Sequence, residues 1–188
     1  NLNSPRDIAL SRNYAYIADT DNHRVVRVNL GDDQMISWGQ YGTANGQFDE
    51  PWSIEVDHTG DGDYTNDLVY VVDTDNFRIQ KFDYNGNHLG TFGTQGSQQG
   101  QFNSPAGIAI NKSSSYPRSI FVGDYTNNNI QEFSASGTTL GNWSVSGCNG
   151  SEPGLRDIAV NSAGNLLLVD STHSADSGCY KLKELSFT

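Results

Sequence analysis

The strongest constraint on the fold is an internal repeat that runs along the whole chain. Each unit opens with a proline, enters an apolar run at an isoleucine, and ends a second apolar run with an aspartate. The anchors are Pro5, Pro51, Pro105 and Pro153; Ile8, Ile54, Ile108 and Ile158; and Asp19, Asp73, Asp124 and Asp170. They define four repeats, at about 4–49, 50–103, 104–151 and 152–188. Units of this length bury their apolar faces only against neighbouring units.

Each repeat predicts three or four short β-strands. In the second repeat IEVD alternates, VYVVD is a nearly continuous apolar run typical of an inner strand, and RIQKFD alternates again. HLGTFG supplies a fourth strand after the tight turn Asn85-Gly86. Four-stranded units repeated at this spacing are typical of β-propeller blades. We therefore predict an all-β fold, a single β-propeller region over residues 1–188 built from four-stranded antiparallel blades.

The repeats resemble those of the NHL-repeat family of β-propellers. The residues that carry the resemblance are Pro51 and Ile54, YVVDTDNFRIQKF (70–82), Phe92-Gly93, and the linkers GQFDEP (46–51) and GQFNSP (100–105). The third and fourth repeats follow the pattern less closely. Propellers of this family usually have about six blades. These four repeats form either a tight four-bladed ring or an open arc. The resemblance favours an arc or part of a larger propeller, and we expect the chain to be a piece of a longer protein.

A charged pair recurs at fixed spacing in the first two repeats. Asp19 is followed by Arg24, and Asp73 by Arg78. Repetition favours a structural role, a partly buried ion pair that connects turns and neighbouring blades. The third repeat has Asn129 at the arginine position, and the fourth has Cys179 after a four-residue insertion. We expect hydrogen bonds or a disulfide to replace the ion pair in these two repeats.

The charge of the chain limits its partners. Its 22 acidic and 11 basic residues give a net charge of −11. Because phosphate backbones repel an acidic surface, nucleic-acid binding is disfavoured. For the same reason, a resemblance to the RNA-binding branch of the NHL-repeat family is disfavoured. No apolar run approaches the roughly 20 residues that a spanning helix needs, so no membrane insertion is expected.

Two cysteines and three glycosylation sequons favour an extracellular or cell-surface location. Cys148 and Cys179 form either one disulfide or two inert thiols. The sequons start at Asn111, Asn142 and Asn149. Each signal is weak alone, and together they indicate a secreted glycoprotein.

The residues just before the first-strand isoleucines are candidates for partner binding. Arg6, Trp52 and Arg156 occupy comparable positions in three repeats. Arginine and tryptophan dominate binding surfaces, so these side chains suit an acidic or aromatic protein partner. The alternative is that each packs on the neighbouring blade.

One repeat carries an acidic insertion, DHTGDGDYTND, between its first and second strands. Oxygen-bearing side chains occur at alternate positions of this insertion, with glycines among them, as in calcium-binding loops. The candidate ligands are Asp57, Thr59, Asp61, Asp63 and Asp67. The loop departs from an EF-hand, since Leu68 occupies position twelve. The spacing predicts a structural Ca²⁺ site, with a solvated acidic turn as the alternative.

No catalytic residues are assigned, and two functions stay open. The first is an extracellular protein-interaction or assembly module with a structural calcium loop. The second is a fragment of a catalytic propeller.

The resemblance extends to peptidyl-hydroxyglycine amidating lyases, which hold zinc with histidines, and to calcium-dependent lactonases. The positions after the motif prolines hold Arg6, Trp52, Ala106 and Gly154, none a histidine. The four histidines are not at zinc-binding spacing, which favours the binding module.

Overall fold

A computed structural model describes residues 1–58, 63–112, 118–145, 154–161, 164–170 and 182–185. The chain divides into two compact units, residues 1–94 and 95–188. In the first, sheet 1 contains β1 (Pro5–Leu10), β2 (Tyr14–Asp19), β3 (Arg24–Asn29) and β4 (Met35–Trp38). Sheet 2 contains β5 (Pro51–Asp57), β6 (Leu68–Asp73), β7 (Arg78–Asp83) and β8 (His88–Phe92).

The same pattern continues along the chain. Short strands β9 (Thr94–Gln95) and β10 (Gln101–Phe102) pair with each other. Sheet 3 contains β11 (Pro105–Asn111), β12 (Ser119–Asp124), β13 (Asn129–Ser134) and β14 (Thr139–Ser144). Sheet 4 has three strands among the described residues: β15 (Leu155–Val160), β16 (Leu166–Asp170) and β17 (Leu182–Leu185). Within the described ranges no helix is long and apolar enough to span a bilayer.

The strands follow the repeat position by position. In sheets 1 to 3 they pair antiparallel in sequence order, so each repeat is a meander. The first strand of every sheet carries a register shift at its start, between the motif proline and isoleucine in sheets 2 and 3. The predicted tight turn at Asn85-Gly86 is present, and sheet 3 has the corresponding turn at Gly137; the φ angles of +85° and +84° at the two glycines suit glycine.

Each unit has an apolar core between its two sheets. In the first unit Ala9, Tyr16 and Ala18 of sheet 1 share a buried cluster with Ile54 and Val56 of sheet 2. Side chains of a strand alternate between faces, so one face of sheet 1 packs against one face of sheet 2.

The second unit repeats this arrangement. There Ala109 and Phe121 of sheet 3 share a cluster with Ile158 and Leu168 of sheet 4. A glycine permits the close approach of the two sheets, because a Cβ on Gly107 would lie 2.7 Å from the Asp157 Cα.

Two of the segments between sheets, the one before sheet 2 and the one before sheet 3, join the core through one aromatic side chain each. Phe48 is fully buried, with its ring centroid 5.6 Å from that of Phe82 on β7. In the second unit Phe102 lies 5.7 Å from Phe133 on β13. Burying one such side chain contributes about 1.5–3 kcal/mol. The GQF sequence of each linker is therefore an anchor.

Candidate binding surface and its scaffold

The aspartate that ends the second strand is buried and collects hydrogen bonds. Asp73 accepts bonds from the Asp49 backbone N–H at 2.8 Å, Asn76 Nδ2 at 3.0 Å, Arg78 Nε at 2.7 Å and Gln80 Nε2 at 2.9 Å. It is 0% exposed. A carboxylate buried this deeply needs several donors to remain in the fold. The donors come from the linker before the sheet, the turn and β7, so one side chain joins all three.

Asp19 occupies the same place in sheet 1. It accepts hydrogen bonds from the Asn3 N–H at 2.7 Å, Asn22 Nδ2 at 2.8 Å and Arg24 Nε at 2.7 Å. Burial is the largest influence on both carboxyls, and it opposes ionisation. At Asp19 the donors outweigh burial and lower the pKa. At Asp73 the same kind of donors are insufficient, and burial raises the pKa.

The arginine of sheet 2 also binds the linker that precedes this sheet. Arg78 donates to the carbonyl oxygens of Thr43, Ala44 and Gln47 at 2.8–2.9 Å. Guanidinium presents several donors in a fixed plane, which suits a cluster of carbonyls. Gln80 adds a clamp that the sequence did not reveal, because its amide accepts from the Gly46 N–H at 2.9 Å and donates to the Gln47 oxygen.

Sheet 3 achieves the same connection without an ion pair. Asp124 accepts hydrogen bonds from the backbone N–H groups of Asn103, Ser104, Thr126 and Asn127. Hydrogen bonds thus take the place of the missing arginine, one of the two substitutes that the sequence suggested. Gln131 repeats the clamp of Gln80, between the Gly100 N–H and the Gln101 oxygen.

The start of β1 carries an exposed arginine stacked on an aromatic ring. The Arg6 guanidinium carbon lies 3.7 Å from the centroid of Trp52, which is half-buried at the start of β5. Two of the predicted partner-binding residues are therefore neighbours. Stacking leaves the N–H edges of guanidinium pointing away from the ring face. In the described part of the chain no carboxylate forms an ion pair with Arg6.

Beside this stack, Asp7 connects the two sheets. Its Oδ2 accepts from Ser53 Oγ at 2.6 Å and from the Ile54 N–H at 2.9 Å. Asp7 and Ser53 occupy the same repeat position in consecutive sheets. The strands that carry the two stacked side chains are therefore hydrogen-bonded to each other next to the stack.

The third predicted residue, Arg156, stacks in the second unit. Its guanidinium carbon lies 4.6 Å from the ring centroid of Tyr125. Tyr125 was not predicted from the sequence, although a signal existed: it follows the motif aspartate, where the first two repeats have Thr20 and Thr74, both buried. Tyr125 is instead 38% exposed.

The acidic loop is described at its two ends only. Asp57 and Asp67 are buried there, and Asp67 accepts a hydrogen bond from the Ser11 hydroxyl of sheet 1. Asp63 is exposed, and its carboxylate accepts from the Thr65 N–H and hydroxyl at 2.9 and 2.6 Å. Thr59 and Asp61 lie outside the described residues. Within the described ranges, no three His, Cys, Asp or Glu side chains are grouped to hold a metal ion.

The sequon asparagines differ in accessibility. Asn111 is 4% exposed at the end of β11, whereas Asn142 is exposed on the outer strand β14. A glycan needs an accessible amide, so Asn142 suits one better than Asn111. Asn149, Cys148 and Cys179 lie outside the described residues.

The histidines have separate surroundings. His23 Nδ1 accepts a hydrogen bond from the Glu50 N–H at 3.2 Å, and its ring meets the Tyr41 ring edge-on. His88 Nε2 lies 2.8 Å from Thr91 Oγ1, and burial, with a contribution from Arg78, lowers its pKa. His58 is exposed within the acidic loop, and His173 lies outside the described residues.

Comparison with known proteins identifies the fold. A sequence profile described as the LVIVD repeat matches residues 4–26. No curated protein gives a significant match. Similar solved structures include a Kuenenia stuttgartiensis hydrazine synthase, with TM-score 0.64 and 16% identity over 94% of this chain and 46% of that chain. Another is virginiamycin B lyase from Staphylococcus aureus, with TM-score 0.59 and 15% identity over 97% and 55%.

A third similar structure is the nidogen/laminin complex, with TM-score 0.60 and 16% identity over 88% of this chain and 56% of that chain. At such identities the likeness concerns the fold alone, and it confirms the predicted β-propeller fold built from repeated four-stranded sheets. The chain spans about half the length of these proteins. Membership of the NHL branch stays a prediction.

Proposed function

We propose that this chain is an extracellular propeller module of the NHL type that binds another protein. The observation that carries the proposal is the Arg6–Trp52 stack, an exposed guanidinium held over an aromatic ring at 3.7 Å. A preformed arginine loses little conformational freedom on binding, and its N–H edge matches a carboxylate. The partner chemistry that fits is an extended peptide with one Asp or Glu beside an aromatic or apolar side chain.

The net charge of the chain determines whether electrostatic attraction guides such a partner to the surface. With a net charge of −11, long-range forces do not steer an acidic peptide toward the surface. Affinity has to come from the contact itself. A single carboxylate next to an apolar group therefore fits better than an acidic tract.

Peptide binding tests the proposal. The probe is a library of extended peptides with one glutamate beside one phenylalanine, measured by fluorescence polarisation. Arg6→Ala should weaken binding about tenfold or more, because a hydrogen bond to a charged group contributes about 1.5–3 kcal/mol. Arg12→Ala, an exposed arginine in the loop after β1, is the matched control and should bind normally. Equal binding by the two variants, or none by the unaltered chain, would contradict the proposal.

A structural Ca²⁺ ion in the 57–67 loop belongs to the same proposal. Its support is the oxygen spacing of Asp57, Thr59, Asp61, Asp63 and Asp67. Titration calorimetry on chelator-treated protein should give binding that Asp61→Ala abolishes. Asp32→Ala, in an exposed turn of sheet 1, should leave it unchanged. Absence of heat with the unaltered chain would reject the calcium site.

The second candidate function is catalysis, as a fragment of a lyase or lactonase propeller. Its support is that similar folds include virginiamycin B lyase, one structure of which contains quinupristin. Incubation of the chain with quinupristin, followed by mass spectrometry, is the direct test. Turnover would favour the enzyme, and an unchanged substrate would favour the binding module.

A further inference from the structure

The segment that leads into β5 is fixed by hydrogen bonds to the turn that follows β2. Glu50, two residues before Trp52, donates its backbone N–H to His23 Nδ1 at 3.2 Å. The carbonyl oxygen of the next residue, Pro51, accepts a hydrogen bond from the Thr20 hydroxyl at 2.7 Å. Both partners belong to sheet 1, whereas Trp52 begins sheet 2. The position of Trp52 therefore depends in part on His23.

Glu50 adopts a backbone conformation that a glutamate rarely takes without support. Its φ is +51°, in the left-handed region, where Cβ crowds the backbone. The Glu50 carbonyl oxygen accepts from the Thr74 N–H at 3.4 Å, a long hydrogen bond, and the bond from its N–H to His23 is shorter. Loss of the bond to His23 should let Glu50 relax and displace the start of β5.

His23 accepts this hydrogen bond only when its ring is neutral. A histidine nitrogen accepts through its lone pair, and protonation turns that nitrogen into a donor. The neutral ring carries its proton at Nε2, which leaves the Nδ1 lone pair for the Glu50 N–H. Protonation would place two N–H groups opposite each other. Histidine is the side chain that ordinarily changes its charge between about pH 5 and 8.

The protonated ring has a second partner within reach. Asp49 Oδ1 lies 3.7 Å from His23 Nδ1. Asp75, on the turn after β6, belongs to the same group of charges: burial and then Asp49 raise its pKa, and the charge of His23 opposes that rise. The Tyr41 ring meets the His23 ring edge-on, with the centroids 5.1 Å apart. Two carboxylates therefore favour the protonated ring.

The charged side chains on the same turn as His23 have other partners. Asp21 accepts from the Ser4 hydroxyl at 2.6 Å, and Arg24 Nε donates to Asp19 at 2.7 Å. The Asp49 carboxylate is therefore the acceptor that we assign to the protonated ring.

We propose that His23 makes peptide binding at the Arg6–Trp52 site dependent on pH. The neutral ring holds Glu50 and so keeps Trp52 in contact with Arg6. The protonated ring turns to Asp49 and releases Glu50, which loosens the stack. This inference rests on the proposed function, because the ligand of the regulated site is the carboxylate-bearing peptide. Binding is strongest near neutral pH and weaker in mildly acidic solution.

Fluorescence polarisation at a series of pH values tests the regulation. The probe is a peptide with one glutamate beside one phenylalanine, whose carboxylate stays largely ionised above about pH 5. From about pH 8 to about pH 5 the affinity should fall about fivefold, the factor that corresponds to one hydrogen bond. His23→Asn should bind without this dependence, since Asn128 occupies the same repeat position in sheet 3 with a φ of +51°. His88→Asn, which removes a histidine bonded to Thr91 on β8, should retain the dependence.

Backbone NMR of the chain without peptide tests the exchange of hydrogen bonds directly. The Glu50 amide signal should move with the same pH midpoint as the His23 ring signals. Asp49→Asn should lower that midpoint, because it removes the carboxylate that favours the protonated ring. A Glu50 signal that does not follow His23, or a pH dependence of binding that survives in His23→Asn, would overturn the inference.

The two proposals fail in different ways. A chain that binds the peptide equally well across this pH range overturns the inference alone. A chain that binds no peptide at any pH contradicts the proposed function, and with it the regulation, even where the Glu50 signal follows His23.

Discussion

The buried aspartates show how single side chains organise this repeat. Asp73 receives donors from a linker, a turn and a neighbouring strand, and Asp19 receives the same three kinds. Backbone groups in a loop rarely find partners inside a protein without such an acceptor. The carboxylate allows an irregular segment to lie against the core.

Removal of one such carboxylate should therefore be costly. Asp73→Ala leaves Arg78, only 11% exposed, without its partner, and we expect a loss of about 3–5 kcal/mol in the free energy of unfolding. Asp32→Ala removes an exposed carboxylate that accepts from the nearby Gln34 N–H, and it should change stability by less than about 0.5 kcal/mol. Urea unfolding measures both. Equal losses would show that burial of Asp73 is not the cause.

The lowered pKa of Asp19 predicts a pH dependence. Its carboxyl has an ordinary pKa of 3.8 and a lower one in the fold, so ionisation stabilises the fold above 3.8. That contribution disappears as the pH falls through the lowered folded pKa. Asp19→Asn should thus be less stable than the unaltered chain at neutral pH, and the difference should shrink in strong acid. Urea unfolding at several pH values measures it, and a constant difference would contradict the assignment.

At the residue scale, the sequence predicted the side-chain pairs that recur in the repeats better than it predicted contacts with distant backbone atoms. Asp19 with Arg24 and Asp73 with Arg78 follow from spacing, because both members recur. Gln80 and Gln131 could not be assigned a role, since their partners are linker backbone atoms more than 25 residues away, about which a side-chain pattern carries no information.

Among the elements, tight turns depend on glycine for two separable reasons. Gly86 has a φ of +85°, and a Cβ there would lie 2.5 Å from the Trp38 ring. Gly46 has a φ of +79° with open space around it. Substitution of these two residues therefore separates the energetic cost of the backbone conformation from that of steric crowding.

Alanine at both positions gives a matched test. Gly46→Ala should lower the free energy of unfolding by about 1–2 kcal/mol, which is the penalty of a left-handed conformation. Gly86→Ala should cost more, because Trp38 must also move. Thermal or urea unfolding compares the two, and equal losses would show that Trp38 adjusts freely.

Strands were predictable from periodicity, and loops were not. Each anchor isoleucine lies in an alternating first strand, which is why the first three repeats give the expected meanders. The acidic insertion has no repeat counterpart to fix its form. Its ends follow from strand pairing, since Asp57 is opposite Leu68. The Ser11–Asp67 contact connects different sheets, and no local pattern predicts it.

At the scale of the whole molecule, surface accessibility decides which sequon can be modified. Expression through a secretory pathway should attach one glycan at Asn142, which is exposed on β14, and none at Asn111, which is buried. Asn142→Gln should reduce by one glycan the mass shift that glycosidase treatment reveals, and Asn111→Gln should not affect it. A shift that depends on Asn111 would contradict the described position of that residue.

The fold class followed from the repeat because four aligned units can bury their faces only side by side. The exposure of individual side chains did not follow, since Ile8 is 57% exposed and Ile54 is 3% exposed although both are isoleucines at the same repeat position.

The carboxylate-anchored linkers have a further consequence for exchange kinetics. The amide protons of Asp49 and Asn103 lie outside regular hydrogen-bonded ladders, yet each donates to a fully buried aspartate at 2.7–2.8 Å. Their exchange with deuterium requires the sheet to open, not merely the loop. These irregular segments should therefore exchange as slowly as the strands they connect, so deuterium labelling would reveal a cooperative unit larger than the sheet itself.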